Sequence, residues 1–192
     1  MKTGILALQG SFQEHLESLK LIERDFILIR TVDDLEEVGS IILPGGESTS
    51  MIKIQENNDL FNHLKIKILT GIPTLGTCAG LILLAKNSIL GKSTLNILDC
   101  DIERNGYGRQ NQSFEGKVQF NNFNDNYCFI RAPKITSVGS GVKVIAKMED
   151  EIVGVQSNNI VGLTFHPELN NEQNYLNWLD NFVMKGSNVG AL

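Results

Sequence analysis

Cys78 stands between two glycines, Gly76 and Gly80, where one short apolar run gives way to another. The run before it, Ile72-Pro73-Thr74-Leu75, suits a buried strand, and Leu81 to Lys86 suits the first turns of a buried helix. A strand that turns sharply into a helix through small residues holds one side chain in a strained, exposed position. The unpaired N–H groups and the dipole at the start of that helix favour a thiolate. A free cysteine is also among the most buried residue types, where it is inert. This stretch alone leaves the reactive and the inert reading equally open.

The chain before Cys78 alternates between the two kinds of segment. Thr3 to Gln9 is a near-continuous apolar run, as in a strand buried on both faces. Gly10-Ser11 breaks it, and Ser11 with Glu14 reads as a capping box for a helix through Leu21, with Phe12, Leu16 and Leu19 as its apolar stripe. Asp25 to Arg30 reads as a strand, Val32 to Val38 as a short helix, and Ser40 to Leu43 as a third strand running into the loop Pro44-Gly45-Gly46-Glu47-Ser48. Ser48 to Gln55 and Asp59 to Leu69 read as helical, the latter closed by Gly71. Such alternation predicts an α/β fold with a mostly parallel central sheet and helices on both faces, a flavodoxin-like three-layer sandwich. In such sheets ligands bind beyond the carboxyl ends of the strands. Gln9, the Pro44–Ser48 loop and Cys78 should therefore gather on one edge.

The second half reads as an antiparallel extension. Val118 to Phe120, Tyr127 to Ile130, Val142 to Met148 and Ile152 to Gln156 are its candidate strands, with a hairpin turn at Glu149-Asp150. Asn159 to Phe165 is one more strand, ending at His166-Pro167-Glu168. Glu172 to Met184 predicts a last amphipathic helix with Tyr175, Leu176, Leu179 and Phe182 inward. Ser187 to Leu192 reads as a frayed tail. With no linker or repeat in sight, residues 1–192 read as a single domain.

Bulk properties narrow the function classes. Hydrophobic residues make up 42% and charged residues 20%, which is an ordinary globular balance. Lysines and arginines are scattered at a net charge of -5, so a nucleic-acid surface is not expected. No apolar run approaches a membrane span, and the N-terminus reads as a strand rather than a signal peptide. The three cysteines are odd in number and widely spaced, which points to a reducing cytoplasm and away from a disulfide framework.

Of the three histidines, His15 and His63 read as structural members of helices. His166 ends an apolar strand, and Glu168 lies two residues on, so in extended chain both point the same way. The carboxylate can then fix the imidazole's tautomer and orientation. Cysteine, histidine and an orienting acid are the three parts of a nucleophile site. Gly45 and Gly46 supply backbone N–H groups that, with the N–H of Ala79, can hold a developing oxyanion. A phosphate loop is disfavoured there by the charge of Glu47. Gly91-Lys92-Ser93 lacks the leading glycine of a nucleotide loop, which Lys86 replaces. The sequon Asn111-Gln112-Ser113 means nothing without secretion. No spacing supports a metal site, and no cofactor is expected.

The cysteine elbow, the upstream Pro-Gly-Gly loop and the C-terminal His-Pro-Glu together resemble class I glutamine amidotransferases. Longer stretches narrow the likeness: Leu6 to Gly10 with Glu14-His15, Pro44 to Thr49, Gly76 to Gly80, Glu103-Arg104-Asn105, Gly108-Arg109-Gln110, Ser113-Phe114-Glu115, Phe129 to Pro133 and Thr164 to Leu169. They resemble, in order and over nearly the whole chain, the glutaminase subunits of pyridoxal 5'-phosphate synthases. The resemblance implies that Cys78 attacks the side-chain amide of L-glutamine, that His166 activates it and protonates the leaving ammonia, and that Glu168 orients His166. It assigns substrate contacts to Gly46, Glu47, Ser48, Arg104, Ile130 and Arg131, and places Gln9 beside the oxyanion donors. The arginines suit the α-carboxylate of glutamine. The resemblance also implies a synthase partner that takes the ammonia and builds pyridoxal 5'-phosphate. Asn170-Asn171 depart from the family's usual residues after His-Pro-Glu-Leu, at a place expected to affect only the local surface.

Two other readings compete. One is the glutaminase subunit of another amidotransferase, such as imidazole glycerol phosphate synthase, which shares the triad. The other is a flavodoxin-like module that senses redox state through one exposed cysteine, which needs neither His166 nor Glu168.

Overall fold

A computed structural model describes residues 1–47, 50, 59–87, 95–104, 106–107 and 113–185. Its first half carries the strand–helix alternation: β1 (Lys2–Leu6), α1 (Phe12–Leu21), β2 (Phe26–Ile29), β3 (Val38–Leu43), α2 (Leu60–Leu69), β4 (Thr74–Thr77) and α3 (Ala79–Leu84). The second half follows with β5 (Ala85–Asn87), β6 (Leu98–Glu103), β7 (Ser113–Phe120), β8 (Phe123–Ile130), β9 (Lys134–Val138), β10 (Lys143–Met148), β11 (Glu151–Ser157), β12 (Ile160–Leu163) and α4 (Gln173–Met184).

One sheet has the order β2-β1-β3-β4-β12-β11-β10-β7-β8. From β2 to β12 the neighbours are parallel, in the doubly wound order of flavodoxin-like sheets. From β12 to β8 they are antiparallel. β12 thus joins a parallel half to the antiparallel extension. A second sheet, β5-β6-β9, stands apart.

Successive strand residues serve opposite faces, as the period of two requires. Ile41 and Leu43 join one apolar cluster, with Leu60, Leu64 and Ile68 of α2, Leu81 to Leu84 of α3, and Leu98, Cys100 and Ile102 of the small sheet. Ile42 joins the other, with Leu16 and Leu19 of α1 and Tyr175, Leu176, Leu179 and Phe182 of α4. The sheet is therefore covered on both sides. Among the described residues no helix is long and apolar enough to cross a membrane.

Several local readings change. Ser11 precedes α1 without a side-chain cap, so the capping box is not formed. The Val32–Val38 helix shrinks to a 3-10 turn at Asp33–Leu35, because Val38 is drawn into β3 beside Lys2. The helix after Cys78 stops at Leu84, and Ala85 to Asn87 turn extended to pair with β6. β7 and β8 are longer than their apolar ends, running from Ser113 to Ile130 around a turn at Asn121. The Glu149-Asp150 turn joins β10 and β11, with Glu149 at φ 52°. The helix expected from Ser48 to Gln55, apart from Ser50, lies outside the described residues, as do Gly91 to Ser93, Asn111-Gln112 and the tail.

Candidate active site

β3, β4 and β12 end level with one another: Leu43 pairs with Gly76, and Leu163 with Thr77. The chain leaving each strand must then meet the others at one edge. β3 delivers Pro44 to Glu47, β4 delivers Cys78, and β12 delivers Thr164 to His166. Of the segments expected to gather, the register brings Pro44 to Glu47 and Cys78 to one edge and adds Thr164 to His166; it does not speak for Gln9, and Ser48 lies outside the described residues.

Cys78 has φ 48° and ψ -103°, outside the regions a side chain prefers. Such a conformation costs about 1–3 kcal/mol and persists only where its surroundings impose it. The constraints are visible. Cys78 N–H donates to the Leu163 carbonyl at 2.8 Å, and its own carbonyl accepts from Ile82 N–H at 3.2 Å as α3 begins. A Cβ at Gly80 would collide with the Leu43 carbonyl oxygen, so only glycine lets α3 start this close to β3. The thiol lies against the end of β8, with Sγ 3.7 Å from the Ile130 carbonyl.

His166 is fixed from two sides. Its N–H donates to the Cys128 carbonyl of β8 at 2.9 Å, and its Nδ1 lies 2.7 Å from Glu168 Oε1. His166 is 4% exposed and Glu168 1%. Burial pulls the His166 imidazole down, but its hydrogen bonds to Cys78 and Glu168 outweigh this and push it up to about 10. Burial pushes Glu168 up, and His15 and His166 outweigh that, holding its carboxyl below the usual value. The result is a protonated imidazole between a sulfur and a carboxylate. The Pro167–Leu169 turn is 3-10 rather than extended, yet it still brings Glu168 onto the ring.

A cavity of about 570 Å³ opens in front of the sulfur, lined by Gly46, Glu47, Cys78, Arg104, Ile130, Arg131 and His166 together with Ser11, Ile82 and Ser113. Six of the sequence-derived residues outside the catalytic trio were Gly46, Glu47, Ser48, Arg104, Ile130 and Arg131; all but Ser48 line it, and Ser48 lies outside the described residues. Gly45 packs against the imidazole so closely that a Cβ there would collide with Cε1. Its carbonyl accepts from Ser11 N–H at 3.1 Å. Ala79 is buried at the start of α3. Gln9 is exposed and does not line the cavity; Ser11, two residues on, takes that place.

Three further placements escaped the sequence reading. His15 is fully buried beside Glu168, whereas His63 is exposed beside Asp59. Asn170 and Asn171 are not mere surface: Asn170 Oδ1 accepts from the Cys128 thiol at 3.3 Å, and Asn171 Oδ1 from the Ser18 hydroxyl at 2.6 Å. They brace the turn that carries His166 and Glu168. No local signal marks the contacts of His15, Asn170 and Asn171, because each joins segments far apart in sequence, unlike the His63–Asp59 pair one helical turn apart.

Comparison with known proteins gives a consistent picture. Residues 5–185 match the model of the SNO glutamine amidotransferase family. Pyridoxal 5'-phosphate synthase subunit PdxT of Tropheryma whipplei (strain TW08/27) is 44% identical over 172 residues, 88% of this chain and 92% of that one. PdxT of Dictyoglomus turgidum is 45% identical over 177 residues, 90% and 93% of the two chains. A solved glutamine amidotransferase superposes with a TM-score of 0.87 at 34% identity, over 94% of this chain and 100% of that one. A putative GMP synthase protein from Thermoplasma acidophilum, at TM-score 0.70 and 14% identity over 98% and 94%, shares the fold alone.

Proposed function

The chain belongs to the SNO glutamine amidotransferase family, and from that premise we propose that it hydrolyses L-glutamine and hands the ammonia to a pyridoxal 5'-phosphate synthase subunit. The observation that carries this reading is the sulfur of Cys78 on a strained elbow, beside a His166 held by Glu168 at 2.7 Å. The sulfur attacks the side-chain carbonyl carbon of glutamine. His166 gives its proton to the departing nitrogen, which leaves as ammonia, and a glutamyl thioester remains. Water, deprotonated by His166, then releases glutamate and restores the thiol. The oxyanion of each tetrahedral intermediate is assigned to the N–H groups of Gly46 and Ala79.

Glutamine presents a carboxylate and an ammonium at its far end. Arg104 and Arg131 suit the first, and Glu47 suits the second. Ser48, the Gly45–Gly46 peptide and the main chain at Ile130 complete the contacts in this reading, with Gln9 in support. We assign residues 1–192 to one class I glutamine amidotransferase domain working in the cytoplasm. The Cys-His-Glu geometry and the relatives' common name favour this reading over the cysteine sensor and over the glutaminase of imidazole glycerol phosphate synthase.

The synthase has a further role in this reading. The Gly45 carbonyl is tied to Ser11 N–H by one hydrogen bond, so a partner that docks on this edge can re-aim the Gly45–Gly46 peptide. Glutamate release at saturating glutamine should rise several-fold or more as synthase is titrated in, and then saturate. Full activity alone with no response to synthase would remove the partner's role; no release in either case would remove the glutaminase assignment.

A further inference from the structure

Beside the triad, outside the cavity lining, lies a buried polar cluster that the chemistry above leaves unused. His15 of α1 is 0% exposed. Its Nε2 lies 3.1 Å from Thr77 Oγ1 and 3.5 Å from Glu168 Oε1. That carboxylate oxygen is the one His166 uses. We infer that His15 is a positioning residue: its Nε2–H, aimed by Thr77, faces Glu168 Oε1 and keeps the carboxylate ionised and in place against His166. This deepens the glutaminase reading and rests on it.

The tautomer follows from the neighbours. A carboxylate can only accept, so a lone pair on Nε2 facing it would be repelled. Nε2 therefore carries the proton and shares it between the Thr77 hydroxyl oxygen and Glu168. At 3.5 Å the second contact is the longer and weaker, an oriented dipole more than a full hydrogen bond. Nδ1 is then a bare acceptor, and it has no hydrogen-bond partner among the described residues. A buried imidazole kept for packing alone would not need a polar atom stranded there, which costs about 1–3 kcal/mol.

Neutrality matters as much as position. Burial pushes the His15 imidazole down, against the pull of Glu168. A charged His15 would compete with His166 for one carboxylate. A neutral N–H supports the carboxylate through its dipole alone, without a second cation; the charge attraction of His15 for Glu168 adds to this only when the ring is protonated. α1 is held in place for this task, since the Ser18 hydroxyl one turn on donates to Asn171 Oδ1 beyond Glu168. Ser11, immediately before the same helix, holds the Gly45 carbonyl with its N–H. One element thus touches both the acid and the glycine loop.

Every group that faces Glu168 enters its titration. His166 comes from its own segment, His15 from α1, the Tyr175 phenol from α4 and the Cys128 thiol from β8; burial pushes both the phenol and the thiol up, with Glu168 adding to the first and Glu115, then Glu168, to the second. The phenols of Tyr175 and Tyr127 and Glu168 Oε2 have no hydrogen-bond partner among the described residues, so besides His166 and the backbone N–H of Glu168 itself, His15 is the polar side chain that addresses the carboxylate directly.

The test compares His15→Asn with His15→Gln in the full chain, saturated with synthase. Gln places its amide nitrogen near the position of Nε2, whereas Asn reaches only that of Nδ1. Losing the donor raises the carboxyl of Glu168, so Glu168 protonates, and releases His166, at a higher pH as the pH falls. His15→Asn should lower kcat by about tenfold, leave the KM for glutamine within about twofold, and move the acid limb of the kcat/KM profile upward by about one pH unit. His15→Gln should recover most of both. Thr77→Val, which keeps the histidine but removes its aim, should shift the limb in the same direction by less, and it serves if the histidine variants do not fold. Equal losses in Asn and Gln, or lower melting temperatures with an unmoved acid limb, would overturn the inference. Glu168→Gln is the control for its premise: if that variant turns over like wild type the triad reading fails, whereas an inactive Glu168→Gln beside a wild-type-like His15→Asn overturns the role of His15 alone.

Discussion

The two sides of His166 are built differently. Behind the ring, Glu168, His15 and Thr77 are at most 1% exposed and sit on a tight turn, a helix and a strand of the packed sheet. In front of it, Gly46 and Glu47 are exposed and ride on the loop after β3, and Ile130 is 41% exposed at the rim. The contrast teaches how labour divides. The groups that set protonation are fixed by folding itself. The groups assigned to substrate in the proposed reaction are left on loops, where a ligand or partner can still move them.

The largest expected effect comes from removing the atom between the two sides. Cys78→Ser should cut glutamate release by about 10⁴-fold or more with an unchanged circular dichroism spectrum, since a serine hydroxyl is not a thiolate at neutral pH. Retained turnover would end the contrast, because nothing would then join front to back. Next is Gly45→Ala, which pushes a methyl into the imidazole edge. A ring displaced by about 1 Å costs about a hundredfold in kcat. If stopped-assay kcat is unchanged, the rear is less rigid than its burial implies.

Arg104→Ala acts on the front alone. It should raise the KM for glutamine about ten- to a hundredfold, the worth of a charge-assisted contact of about 1.5–3 kcal/mol, and change kcat little. A fall in kcat with KM unchanged would place Arg104 with the catalytic groups instead. The smallest effect belongs to His63, exposed on α2 beside Asp59. His63→Ala should change kcat/KM by less than about twofold and stability by less than about 1 kcal/mol, as for a surface pair. Its contrast with His15 separates two histidines that look alike in sequence.

How much of this could be read beforehand also differs between the two sides. The elbow was legible because Gly76 and Gly80 flank Cys78 locally, and the apolar runs before and after it announce strand and helix. His166 and Glu168 were legible because they are two residues apart. The stripe of α4 was legible from its period, with Tyr175, Leu176, Leu179 and Phe182 all buried. The small sheet was not read, although Leu98-Asp99-Cys100-Asp101-Ile102-Glu103 alternates as a strand should. Its acidic outer positions mask the pattern, and its partner β9 is only five residues long. The role of α1 was out of reach. Nothing near His15 in the chain says that Thr77 and Glu168 will meet it, and only the stacking of α1 against the sheet edge brings them together.

The central claim is that the rear of the site is complete in the chain by itself, while the front waits. The most direct measurement is an NMR titration of the His166 ring in the chain alone and again with the synthase bound, on protein labelled at histidine nitrogen. His166 gains its proton affinity from Cys78 and Glu168, so it should stay protonated through neutral pH and lose its proton only towards about 10, with the synthase or without it. Glutamine turnover should rise with synthase over the same samples. A ring that titrates near its ordinary value of about 6.5 in the free chain and moves up only when the synthase binds would show the rear to be assembled by the partner, and would contradict the account.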